Sequence, residues 1–217
     1  MPLSKFGPFA SVFEKGQLAV PGHLALLNLH GSDTDVVIDR IQLAMQSEEL
    51  TRWAAALFDD PNWRAHLVGA IAVLLDGGAR LTTDPLWRAI DAGSWVTPQL
   101  VVTAYFADPK FPEHLISRLN HRCEITVPSS LSPVERHSAT GPGGAVHRSA
   151  KLLASLLCIG KRLPALSSSL ERTSAEPDLA ELLGKDIDNS STITDRWYTH
   201  LTTYFASRQR VLTPRAI

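Results

Sequence analysis

The residues best suited to bind an anion fall in one short stretch. Gly141-Pro142-Gly143-Gly144 leads into His147-Arg148-Ser149 and Lys151. Loop amides and a helix N-terminus there would present N–H donors, with Arg148 and Lys151 adding positive charge. Arg136 and His137 lie just upstream, so Arg136, His137, His147, Arg148 and Lys151 form the candidate ligand- or partner-binding set. The GxxxxGK[ST] spacing of a nucleotide phosphate loop is absent, as is a preceding strand, which makes a loop ending at a helix the simpler reading.

The remaining reactive residue types do not assemble. Neutral imidazoles share a metal on a helix when they stand three or four residues apart. None of the eight histidines is spaced that way, there is no HExxH, and His114 and His121 are two turns apart. Cys123 follows His121 and Arg122, which would lower its pKa, whereas Cys158 sits within an apolar helical pattern and reads as packing. With no GxSxG either, the expectation is no catalytic residue, metal or cofactor.

A net charge of −1 and 44% hydrophobic residues over 217 positions give enough apolar material for a sizeable core and no general attraction to nucleic acid or anionic lipid. The longest apolar run, Leu67 to Leu75, is too short for a membrane span, and charges precede any signal-like segment. A cytoplasmic location is expected.

Helix starts dominate what must position these residues. Asp60-Pro61, Asp84-Pro85 and Asp108-Pro109 stand 24 residues apart, each before an apolar stretch. Asp can cap first-turn amides, and Pro loses no helical bond in the first turn, so the pairs predict helices from Pro61, Pro85 and Pro109. Asp76-Gly77-Gly78 predicts a helix stop, and Ser94 caps a helix holding Pro98 and running to about Ala107. Earlier helices are expected over Asp35–Met45 and from Ser47 to Phe58, after an irregular arm over 1–33 that packs through its aromatics. Residues 126–146, rich in Pro, Ser and Gly, read as a long loop. Helices over His147–Leu163, Leu179–Leu183 and Thr194–Arg208 follow, the last facing Trp197, Leu201, Tyr204 and Phe205 inward. The whole chain reads as a single all-helical domain.

An offset of 32 residues matches Asp59 with Asp91, Trp63 with Trp95, Ala72 with Ala104 and Asp76 with Asp108. With Asp59-Asp60-Pro61-Asn62-Trp63-Arg64 followed by Ala70 and Leu74, the segment Leu50–Leu119 resembles HEAT-like α-helical repeats; Val96 departs from the pattern at the place of Arg64. The resemblance implies stacked antiparallel helix pairs, an all-α fold that presents surface, and a compact α-helical bundle is the alternative. Turn carboxylates could then form an acidic rim, although capping already accounts for Asp60, Asp84 and Asp108. A partly exposed Trp among Trp53, Trp63, Trp87 and Trp95 would mark an interface, the rest closing the core.

The functional expectation is a non-catalytic protein-binding module, such as a stoichiometric inhibitor or bacterial immunity protein that occludes a toxin. The alternatives are an anionic-ligand protein or enzyme at the 126–151 loop–helix junction, and a helical-repeat DNA-binding protein using Arg52, Arg64, Arg80 and Arg88.

Overall fold

Pro cannot donate the amide that continues a helix, and Asp before it can turn its carboxylate onto the amides just beyond, so an Asp-Pro pair separates two helices. The computed structural model describes residues 3–16, 18–29, 31–120, 145–166, 170, 180–181, 183–184, 189–208 and 212–214, with the backbone alone for Leu3, Asn28 and 145–149. The fold is all-α, and no strand occurs among the described residues. A 3-10 segment, Leu3–Phe9, is followed by helices α1 (Ala10–Phe13), α2 (Gly22–Asn28), α3 (Ser32–Ala44), α4 (Leu50–Asp59) and α5 (Trp63–Asp76). Then come α6 (Asp84–Asp91), α7 (Thr97–Ala107), α8 (Phe111–Asn120), α9 (Ala145–Gly160) and α10 (Ser190–Ala206).

The Asp-Pro pairs break the chain where expected but do different work from the capping predicted for them. Helix α5 starts at Trp63, and its cap is Asn62, whose side chain accepts from the Arg64 amide. Asp60 instead accepts from the Asn62 amide and pairs with Lys5, tying the N-terminal segment to this turn. Asp108 accepts from the Lys110 amide at 2.8 Å, and its other oxygen accepts from Trp87 Nε1 and His114 Nδ1, each at 2.6 Å. Both carboxylates are buried, Asp108 to 2% exposure. Only Asp84 begins its helix, as the first residue of α6 with Thr83 before it, and its exposed side chain makes no cap hydrogen bond. The acidic rim is therefore not formed: the Asp60, Asp76 and Asp108 carboxylates turn inward, and Asp59 and Asp91 pair with Arg88 and Arg118.

Two layers result. The 3-10 segment, α4 and α6 pack along one side, and α3, α5, α7, α9 and α10 along the other, with α4 on α5, α6 on α7 and α8 on α9 across the layers. Helix α5 has no single inward face: every position from Ala65 to Leu74 is buried, as is every position of α7. Helices packed on several sides at once have no solvent face to keep polar. Gly69 lets α5 approach α4, since a Cβ there would stand 2.9 Å from the Phe58 ring. Gly77, at φ +57°, ends α5 as the glycine pattern predicts.

The N-terminal arm packs through Phe6, Phe9 and Val12 as expected, but it also carries the helical turns of α1 and α2. At the other end, Trp197, Leu201, Tyr204 and Phe205 of α10 are buried. Residues 126–144 of the expected loop lie outside the described residues, and the helix after it begins at Ala145, two residues inside the loop as expected from sequence; of the expected Leu179–Leu183 helix, 180, 181 and 183 are described and helical. No helix among the described residues is long and apolar enough to cross a membrane.

The different roles of the three aspartates lead to distinct stabilities. D108A leaves the buried Trp87 N–H without an acceptor and should cost about 2–4 kcal/mol in urea unfolding, whereas D84A, which loses only a first-turn charge, should cost no more than about 1 kcal/mol.

Candidate functional site

The five tryptophans divide in a way the sequence does not show. Trp87 and Trp197 are buried, Trp53 and Trp63 are half-buried, and Trp95 is 69% exposed. Trp95 lies in the turn between α6 and α7, where Gly93 at φ +77° and the Ser94 turn carry the chain into the next helix. Rigid local bonding sets this turn: Thr97 Oγ1 donates to the Ser94 carbonyl at 2.6 Å, and Ser94 Oγ donates to His66 Nδ1 at 2.7 Å.

Around Trp95 a continuous aromatic and cationic surface is assembled. Its ring lies 5.8 Å from Trp63, at the first position of α5, and Trp63 in turn meets His23 edge-on at 5.9 Å. The Arg64 guanidinium lies over Trp63 at 4.9 Å, donates through Nε to His23 Nε2 at 3.0 Å and reaches Asn62 Oδ1 at 3.3 Å. Lys151 of α9 brings its ammonium to 5.9 Å from the Trp95 ring. A cation at such a distance is drawn to the negative face of an indole. The starts of α5 and α7 thus meet on one face of the molecule, and both aromatic residues sit at those starts.

The proton positions within the cluster follow from its bonds. Burial and the neighbouring Arg64 charge push the His23 imidazole down to about 4, so it is neutral near pH 7. With Nε2 accepting from Arg64, its proton resides on Nδ1, which is buried and has no hydrogen-bond partner. His66 is also lowered, chiefly by burial. Its Nε2 faces the Asp60 carbonyl at 2.6 Å and must donate, which leaves Nδ1 to accept from Ser94. This serine–histidine pair is placed for packing: at 8% and 5% exposure neither residue meets solvent, and the Ser94 amide is occupied by the Ala89 carbonyl.

Of the residues singled out from sequence, Lys151 is brought beside Trp95, although it is itself buried, at 6% exposure. Arg136 and His137 lie outside the described residues; His147 and Arg148 fall on the first turn of α9 with their side chains outside them as well. Cys123 is likewise outside. Cys158 is not the core residue its pattern suggested: it is partly exposed and lines a hollow of about 480 Å³ with Lys161, Arg162 and Asp195. Burial, then Asp195, pushes its thiol up to about 12, and Sγ donates to the Ser191 carbonyl at 3.4 Å, so it is no activated nucleophile. Among the described residues no group of three or more His, Cys, Asp or Glu gathers as a metal site. Of the arginines of the DNA-binding alternative, Arg52, Arg80 and Arg88 pair with Glu49, Asp76 and Asp59.

Part of this cluster could have been found by sequence. Asp-Pro-x-Trp-Arg-Ala occurs at 60–65 and again at 84–89, and Asp-Pro-x-aromatic-x-x-His-Leu at 60–67 and 108–115. The first marks two tryptophans in equivalent places, and the second marks His66 and His114, each of which bonds back to its own Asp. Scans with family models and comparisons with curated proteins and with solved structures return no match to this chain.

The lowered histidines set a pH dependence. Above about pH 6.5 neither folded nor unfolded chain protonates them; between there and pH 4 the unfolded chain takes up a proton at residue 23 that the folded chain refuses. Stability should therefore fall on acidification through that window, by up to about 1.4 kcal/mol per pH unit for one such group. H23Q keeps an acceptor for Arg64 and should flatten the slope measured by urea unfolding, with the part due to His66 remaining.

Proposed function

We propose that the chain is a non-catalytic protein-recognition module whose anchor is Trp95. The observation that carries this reading is an indole left largely in water on the junction of two packed helices, tilted against a second indole at 5.8 Å with Arg64 and Lys151 nearby. Tryptophan and arginine are the side chains that most often dominate binding free energy, because each covers a large area with few rotatable bonds and also offers a polar or charged contact. Leu43 is exposed to a similar degree, 68%, but its surroundings lack such an aromatic cluster. In its finer form the module is a stoichiometric inhibitor, for instance an immunity protein that covers a toxin. That form carries one added expectation, that the captured partner loses its activity at a one-to-one ratio.

A photo-crosslinking residue in place of Trp95 should yield a defined protein adduct in the native host, and the W95A chain should capture the same partner at least about 30-fold more weakly, a loss of about 2 kcal/mol. Its melting temperature should stay close to that of the parent chain, since so exposed a ring contributes little to the core. Equal capture by W95A and by the parent, with L43A as the surface control, would sink the reading.

A further inference from the structure

Arg64 differs in its partners from the arginines around it. Arg52, Arg80, Arg88, Arg118, Arg162 and Arg208 each pair with a carboxylate: Glu49, Asp76, Asp59, Asp91, Asp195 and Asp35. The exposed Arg64 guanidinium touches only neutral groups among the described residues, namely His23, Asn62 and the Trp63 ring. Its Nη2 donates to none of them. His23 cannot supply a compensating charge, and with its pKa near 4 it does not add a positive one at neutral pH either. The positive ends of α5 and α7 lie at this same face, each of them longer than two turns.

We infer that the Trp63–Trp95 face seats an acidic segment of a protein partner. A carboxylate of that segment takes the open edge of Arg64, and an apolar or aromatic side chain beside it lies on the Trp95 ring. This rests on the recognition reading above and adds the partner's chemistry to it. A planar guanidinium held by its Nε against His23 presents its remaining N–H groups in a fixed direction, which suits a carboxylate. A nucleic-acid strand could also stack on Trp95, but it needs a track of cations to follow its phosphates. Here the arginines of the neighbouring helices, Arg88 and Arg118, are already answered by Asp59 and Asp91. The open edge of Arg64 beside an exposed indole, with one further cation, the buried Lys151, 5.9 Å from the Trp95 ring, fits a carboxylate next to an apolar residue better than it fits a polyanion.

The test is selection of random short peptides on the full-length chain, followed by binding measurements on the selected sequences and on a thymidine oligonucleotide. Asp or Glu adjacent to a large apolar residue should be enriched. R64Q should weaken those peptides by about tenfold or more, R64K should restore part of the loss, and W95A should abolish binding, all with unchanged circular dichroism. Neutral or basic peptides that need Trp95 but ignore Arg64 would overturn the acidic partner and leave the recognition reading in place. Tight binding of the oligonucleotide through Trp95, or no peptide that depends on Trp95, would overturn both.

Discussion

A carboxylate removed from water must be met by enough donors to replace its hydration, and this requirement ties the helices together at their turns. Asp108 draws the Trp87 indole N–H from α6, the His114 imidazole from α8 and the Lys110 amide onto one side chain at the end of α7. Asp60 does the same at the end of α4, collecting the Asn62 amide and Lys5 from the N-terminal segment. Apolar burial is non-directional and would tolerate several stackings of these helices. The buried carboxylates are directional, and they select the arrangement in which each donor is in reach. Arg118 adds to the Asp108 junction by lying over the Trp87 ring at 4.0 Å while pairing with Asp91.

That arrangement also decides which groups are left to reach solvent. With α5 and α7 buried on every side, their lengths offer no surface, and solvent is reached only at the ends of α5 and in the turn that leads into α7. The residues at those ends are Trp63, Arg64 and, one turn away along the chain, Trp95. Building a binding face from helix ends has a physical advantage, because the groups there are held by helices that cannot shift without disturbing the core. The hydrogen bonds from Ser94 to His66 and from His66 to the Asp60 carbonyl link the turn that carries Trp95 to the turn that opens α5. Two neutral histidines, His23 and His66, thus stand behind the aromatic surface and hold it without adding charge.

The all-helical class and most helix positions were legible in the chain because apolar periodicity and Pro and Gly punctuation act locally. Gly77 stops α5, Pro98 sits in the first turn of α7, and the inward face of α10 matches its spacing. Errors of two residues at α5 and α8 share one cause. A carboxylate before Pro can cap a helix or bind the turn ahead of it, and local sequence does not distinguish the two. The roles of Asp60 and Asp108 depended on Lys5 and Trp87, which are distant along the chain and adjacent only after folding.

Sequence by itself determined the helices, their breaks and the supply of large aromatic side chains. Tertiary structure alone decided which tryptophan faces water and that Arg64 meets neutral groups rather than a carboxylate. Trp63 and Trp87 share the Asp-Pro-x-Trp-Arg-Ala context, yet one is half-buried and the other buried, and Trp95, which matches Trp63 at the 32-residue offset, is exposed, because exposure depends on which neighbouring helix covers each turn. Charge compensation is likewise a property of distances between helices: Arg88 and Arg64 occupy equivalent places in the Asp-Pro-x-Trp-Arg-Ala motif, but only Arg88 comes within reach of Asp59.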